Sequence, residues 1–475
     1  MPNKLMNRRS FIQNLGLVTG GAFISLQTNA FSKLDRDKTI HGKVREGKTG
    51  IANVVISDGY SVVLTDKNGE YTISPNPLAT TIFMSTPSGY AFKTDYSVAK
   101  QYETLGSRNQ YDFSLERLKK DDSKHSFIIW ADPQVKTKSD VKQMMDTSVP
   151  DVQKWVKEMG KDALLHGIGV GDLVWDNHAL FADYNKAIQL MGIPFFQALG
   201  NHDQDYRLGG DETSDKTFKE IYGPTYYSFN RGKAHYVVLD DVRYSGKDRS
   251  YDGYIVENQL EWLRKDLQHV AKDSLLIIAL HIPVHNSVKN NGELYAILEG
   301  YSNVHIMSGH THYNLNVVKN GIYEHNHGTV CGAWWTGPIC ADGTPRGYGV
   351  YEVDGNQIKW YYKSTGQNNQ HQVRASVETL TGQKRLIANV WNWDPEWKVE
   401  YILDGKNMGA LQQEKGVDPL AVKLFNTPAE PGARKFKEPK KMSHLFVAHF
   451  KPEIKKVKVV VTDRFGNKYT ADANA

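Results

Sequence analysis

The feature that most constrains this chain is a series of polar fragments, each placed directly after a short apolar run. In order they are Asp132-Pro133-Gln134, Gly171-Asp172, Gly200-Asn201-His202-Asp203, His281-Ile282-Pro283 and Gly309-His310-Thr311-His312. The runs before them cover residues 127–130, 164–170, 195–199, 275–280 and 304–307. Apolar runs of this length read as buried strands. In α/β folds, side chains just beyond the strand C-termini gather in one crevice, supported by the sheet behind and open in front. A lone Gly-Asp pair marks only a turn, but five such fragments in sequence describe one site. Helical patterns separate the runs. The clearest covers residues 259–267, with Leu260, Leu263 and Leu267 on one face. The expectation is an α/β core with at least partly parallel sheets.

The donors in these fragments are carboxylates, amides and imidazoles. Two divalent cations held side by side need one bridging carboxylate and a mixed oxygen and nitrogen shell. Such a pair can activate a shared water and clamp phosphoryl oxygens, which is most of what phosphoester hydrolysis requires.

At 475 residues the chain exceeds one ordinary core, so several domains are expected. Residues 38–117 read as a small β-domain, with Asp58-Gly59 and Asn68-Gly69 as hairpin-type turns between β-branched runs. Residues 125–366 carry the alternating strand and helix signals. Residues 367–475 turn β-like again, with strand candidates at 386–393, 397–403 and 457–461 and a Pro/Lys-rich loop at 428–441. A net charge of +5 is small for this length, and no Lys/Arg block marks a nucleic-acid footprint.

The first 30 residues read as an export signal. Lys4, Arg8 and Arg9 precede a short apolar run at 15–26, with Thr28 and Ala30 placed for cleavage. The run is too short to span a bilayer, and no transmembrane segment is expected elsewhere. Asn7-Arg8-Arg9-Ser10-Phe11-Ile12 looks like a twin-arginine signal, which implies export, with the periplasm as destination. Cys331 and Cys340 fit either a disulfide or two buried thiols.

Taken together, the five fragments resemble the calcineurin-like metallophosphoesterases. The N-terminal β-segment resembles carboxypeptidase-regulatory-like sandwiches, and the C-terminal one resembles the β-sandwich found in some exported bacterial members. The resemblance implies a four-layer αββα core flanked by two small all-β sandwich domains. It implies two divalent metal ions, Mn, Fe or Zn, and a phosphate-ester substrate attacked in line by a bridging hydroxide. Carried over residue by residue, Asp132, Gln134, Asp172 and His312 would hold one metal, with Asp172 bridging. Asn201, His281 and His310 would complete the other site. His202 would be the general acid or a stabiliser of transition-state charge, and Asp203 would orient its ring. In an extended segment His310 and His312 share a face and can serve neighbouring metals.

Gln134 departs from the pattern. The usual first fragment is Asp-x-His, and an amide oxygen is a weaker, harder ligand than imidazole. The first site is then expected to bind metal less tightly, or to prefer Mn or Fe over Zn. A branch of the family resembles this Asp-Pro-Gln version, so activity is still expected.

Substrate contacts are expected from Trp334 and Trp335 as an aromatic platform, from Arg346 as a phosphate clamp, and from Tyr206 and Arg207 on the loop after Asp203. Adjacent residues of an extended chain face opposite ways, so one Trp is expected to pack at the interface with the C-terminal domain instead. His325 and His327 are not expected to be ligands. Three functions fit: a phosphomonoesterase, a phosphodiesterase acting on a lipid head group, nucleotide or phosphoglycan, and a metal-stabilised glycan-binding protein without turnover.

Overall fold

The computed structural model describes residues 39–474, so the twin-arginine-like segment lies outside the described residues. Two stacked sheets form the centre. The first runs, in spatial order, Gln357–Ser364, Gly347–Asp354, Lys124–Trp130, Leu165–Val170, Phe195–Ala198, Val98–Ala99 and Thr94–Asp95. The second runs Tyr227–Arg231, Ala234–Val238, Leu275–Ala279, Asn303–Ser308, Ile322–Asn326 and Leu315–Lys319. The strands that lead into the polar fragments pair in parallel, in both sheets. Their C-terminal ends therefore point the same way within each sheet.

The strand Lys124–Trp130 shows how the layers form. Phe127 and Ile129 face the second sheet, where they join Tyr236, Val237 and Ile277. Ile128 and Trp130, on the opposite pleat, join Val152 and Trp155 of the helix Val149–Met159 and Tyr184 and Ile188 of the helix Phe181–Met191. Period-two side-chain alternation thus feeds two cores from one strand, and a strand buried on both faces must read as continuously apolar. The helices Glu257–Asp266 and Asn291–Leu298 place Leu260, Leu263, Leu294 and Leu298 against the second sheet. The result is the four-layer αββα core.

A β-sandwich sits at each end. The N-terminal one has its own core around Ile40, Val44, Ile56, Tyr71 and Phe113. Residues 94–99 fall within that segment of the sequence but fold into the core: Val98 pairs in parallel with Phe195 and closes the edge of the first sheet. The C-terminal sandwich packs Leu386, Val399, Phe446, Val459 and Val461 between two four-stranded sheets. Among the described residues no helix is long and apolar enough to cross a membrane.

Candidate metal centre

Each polar fragment lies where its strand ends. Asp132 follows Lys124–Trp130, Asp172 follows Leu165–Val170, Asn201 follows Phe195–Ala198, His281 follows Leu275–Ala279 and His310 follows Asn303–Ser308. The two sheets bring all five to one crevice. One atom each from Asp172, His281 and His310 lie within 4.8 Å of one another.

Two half-sites share Asp172. In the first, His312 Nε2 stands 3.5 Å from Asp132 Oδ1, and the Gln134 amide donates to Asp172 Oδ2 at 2.9 Å. In the second, His281 Nε2 lies 3.3 Å from Asp172 Oδ1, 3.0 Å from Asn201 Oδ1 and 3.1 Å from His310 Nδ1. The His281 Nδ1 faces the Val170 carbonyl at 2.8 Å. That contact turns Nε2 into the site.

The electrostatics of the cluster fit a cation pair. Burial pushes the Asp132 carboxyl up to about 8, with His281 opposing the shift and Asp172 adding to it. Burial also opposes ionisation of Asp172, but His281 and His202 outweigh it and hold that carboxyl below its usual range. Burial lowers His310 to about 3 and His312 to about 4, which leaves both rings as neutral donors. His281 is disfavoured as a cation by burial, yet Asp172 and Asp132 draw it up to about 10. Two buried carboxylates thus compete for positive charge at one point. Gln134 Oε1 is buried there without any hydrogen-bond donor. An orphaned amide oxygen, two carboxylates and three imidazoles make a donor set suited to two divalent cations.

The backbone is bent to achieve this. Asp132, Gln134, Asp172, His310 and His312 have φ of 46°, 39°, 51°, 67° and 56°. Left-handed backbone at residues other than glycine costs about 1–3 kcal/mol each, and it clusters at functional sites. His310 and His312 therefore do not share the face of an extended segment, as the spacing suggested. A tight turn, with Thr311 N donating to Gly309 O at 2.7 Å, sends them to different half-sites. The glycines ahead of the ligands have a steric reason. A Cβ on Gly309 would sit 2.4 Å from Asp132 Oδ2, and one on Gly200 would sit 2.0 Å from Asp172 N.

His202 stands over the cluster. Its backbone N–H donates to Asp172 Oδ1 at 2.8 Å. Its ring Nδ1 meets Asp176 Oδ1 at 2.9 Å, and Arg249 holds the other Asp176 oxygen, also at 2.9 Å. Burial disfavours the charged ring, but Asp172 and Asp176 outweigh it and raise its pKa.

The orienting role expected of Asp203 is corrected by this geometry. Asp203 accepts backbone N–H groups from Leu173, Val174 and Gly200, so it is spent fixing the Asp172 and Asn201 loops. The residue that holds the ring is Asp176, four positions after Asp172. Asp241 was missed altogether. It accepts from His281 N and Ile282 N and so shapes the turn that carries His281.

The proposed platform also resolves differently. Trp335 is buried, donates to the Pro133 carbonyl at 2.9 Å and belongs to the helix-side core. Trp334 stacks on His312 with ring centroids 4.5 Å apart, and Lys437 Nζ lies 4.1 Å from the centre of its ring. Its faces are already taken, so it serves as a wall of the site and not as an open shelf. The Arg346 guanidinium lies 5.4 Å from the Trp335 ring centre and is half-buried. The Tyr206 hydroxyl donates to the Asn201 carbonyl, which places it beside the second half-site. Arg207 is exposed, with its backbone N–H donating to the Tyr244 hydroxyl at 3.3 Å.

His325 and His327 are buried and bonded elsewhere, to His305 and Asn316 and to Tyr351. Cys331 and Cys340 are both buried free thiols.

Comparison with known proteins agrees with this architecture. Residues 38–118 match the family model for the N terminal of calcineurin-like phosphoesterase, residues 100–314 the calcineurin-like phosphoesterase model itself, and residues 324–469 its C terminal. No curated protein matches the chain significantly. Among solved structures, a dimetal phosphatase from Danio rerio is similar at 14% identity and a TM-score of 0.36, over 51% of this chain and 97% of that one. A purple acid phosphatase from yellow lupin (Lupinus luteus) seeds is similar at 13% identity and a TM-score of 0.39, over 64% of this chain and 56% of that one. The inner-membrane-complex anchor of Plasmodium is similar at 15% identity and a TM-score of 0.35, over 52% and 89%. With the three family models following one another along the chain, the protein belongs to the calcineurin-like phosphoesterases and is a phosphoester hydrolase.

Proposed function

We propose that the protein hydrolyses phosphate monoesters with a two-metal centre held by Asp132, Gln134, Asp172 and His312 on one side and by Asp172, Asn201, His281 and His310 on the other. The metals would supply an activated water and neutralise the phosphoryl oxygens. The rest of the task falls to the protein. Asp172 sits between the half-sites and fixes their spacing. His281 and His312 are held by backbone carbonyls through one ring nitrogen, which leaves the other aimed inward.

His202 carries the reading. Its Nδ1–H is committed to Asp176, and the raised pKa of the ring favours the imidazolium, whose Nε2–H would then supply the proton to the leaving oxygen. Arg249 and Asp172 anchor the two ends of that arrangement. An ester whose alkoxide leaves poorly needs this proton most.

A diester reading would need an open, weakly charged groove. The rim instead carries Lys136 over Trp175 and Lys437 over Trp334, neither in an ion pair among the described residues, which suits an ester of high negative charge. Export to the periplasm remains part of the proposal and rests on the twin-arginine-like segment alone.

The test compares p-nitrophenyl phosphate with bis-p-nitrophenyl phosphate on the Mn-loaded protein. Faster release from the monoester is expected. Faster diester cleavage would replace this reading with the phosphodiesterase. Two bound metals without turnover of either would favour the glycan-binding protein.

A further inference from the structure

The loop at 428–441 belongs to the C-terminal region, yet it lies against the wall of the metal centre. Phe436 is buried with Ala333, Ile339 and Ala421, which pins the middle of the loop to the catalytic core. Arg434 pairs with Asp140, whose side chain is 1% exposed. The other oxygen of Asp140 accepts the backbone N–H groups of Lys136 and Thr137, both at 3.0 Å. One buried carboxylate therefore fixes two segments that come from opposite ends of the chain.

Each of those segments carries a lysine to the same place. Lys437 Nζ lies 4.1 Å from the Trp334 ring centre, and Lys136 Nζ lies 4.3 Å from that of Trp175. The two indoles are 5.9 Å apart. Trp334 stacks on His312, and Trp175 meets His202 edge-on at 5.6 Å. Each lysine is thus one indole away from a histidine of the site. Neither forms an ion pair among the described residues, whereas the Arg434 charge is met by Asp140. A cation over an exposed indole gains only about 0.5–1 kcal/mol, and its N–H donors stay available.

We infer that Lys437 and Lys136 form a second anion subsite beside the metal centre. The preferred substrate is then a phosphate ester that carries another anionic group on its leaving portion. This rests on the phosphomonoesterase reading. Arg434 acts as a positioning residue that holds the loop, and the C-terminal region becomes part of substrate recognition as well as of packing.

The experiment measures phosphate release from p-nitrophenyl phosphate, fructose 6-phosphate and fructose 1,6-bisphosphate by the full-length Mn-loaded protein. Wild type should prefer the bisphosphate over the monophosphate in kcat/KM. Lys437→Gln should cut that preference about tenfold through KM, as expected when one charge-assisted contact is lost. Lys136→Gln should act in the same direction. Lys435→Gln is the control, because Lys435 lies over Phe425, away from the metal centre. Calorimetric titration of His202→Ala protein with fructose 1,6-bisphosphate should show the same tenfold loss when Lys437→Gln is added. An equal preference in wild type and Lys437→Gln, with wild-type turnover of p-nitrophenyl phosphate, would overturn the subsite alone. No release from any of the three substrates would overturn the phosphomonoesterase reading and the subsite with it.

Discussion

His202 and Asp176 form a hydrogen-bonded pair, with Nδ1 and Oδ1 2.9 Å apart, and Arg249 closes the carboxylate from the far side. The pair spans two loops that leave different strands, so the ring is held by the sheet and not by its own neighbours in sequence. His202→Ala should keep both metals and lose most turnover. Loss of a general acid costs typically about 10²–10⁴-fold. Asp176→Asn should lose less, and in both variants the defect should shrink for substrates with good leaving groups. Leaving-group dependence of kcat checks this. Wild-type rates on a poor leaving group would remove His202 from the role.

Gln134 presents an unsatisfied buried amide oxygen next to Asp172. Replacing a weak amide ligand by imidazole should tighten one site. Gln134→His is expected to raise the affinity of one metal equivalent and leave the other unchanged, read by metal titration with a competing chelator. An unaltered titration would count against Gln134 as a ligand.

Gly309 leaves no room for a side chain beside Asp132, whose carboxylate accepts the neighbouring His310 N–H at 2.9 Å. A methyl group there would meet Asp132 Oδ2 at 2.4 Å. Gly309→Ala should displace that carboxylate, with about 1–3 kcal/mol lost to overpacking. Metal stoichiometry by elemental analysis should fall below that of wild type. Retention of full stoichiometry and turnover would show that the crowding is relieved without cost.

Asp342 ties the catalytic core to the C-terminal sandwich. It accepts from Asn314 N and Thr344 and faces His444 Nε2 at 3.1 Å. Burial opposes its ionisation, but the His444 contact outweighs that and keeps its pKa below the usual carboxylate value. Lys440 adds positive charge nearby. A depressed folded-state pKa stabilises the fold above the unfolded value and loses that stabilisation as pH falls through the folded value. Wild-type stability should therefore drop in the range below about pH 4. Asp342→Asn should flatten that acid limb and cost about 1–3 kcal/mol at neutral pH through unpaired partners. Denaturant unfolding across pH tests both parts, and an unchanged acid limb would rule out Asp342 as its source.

The five strands that lead into the site, and where they end, were legible in the sequence. A strand buried on both faces has to be apolar throughout, so Phe127, Ile128, Ile129 and Trp130 announce it, and the first polar residue afterwards marks where the crevice begins. That is why Asp132, Asp172, Asn201, His281 and His310 could be read as one site. Tertiary structure decided how side chains turn at those ends. Asp203 and Asp176 both follow an apolar run, and nothing local separates them. Only the packing of two loops gives one to backbone amides and the other to the His202 ring. The spacing of His310 and His312 suggests an extended segment, whereas the chain takes a left-handed turn in which His310 N–H donates to Asp132. Trp334 and Trp335 look alike in sequence. One became a wall of the site because a lysine about a hundred residues further along the chain covers it. Strand patterns are local and period two, so they are legible. Contacts between loops far apart in sequence depend on how the sheets and the C-terminal sandwich pack, and that packing also brings Lys437 to the metal centre.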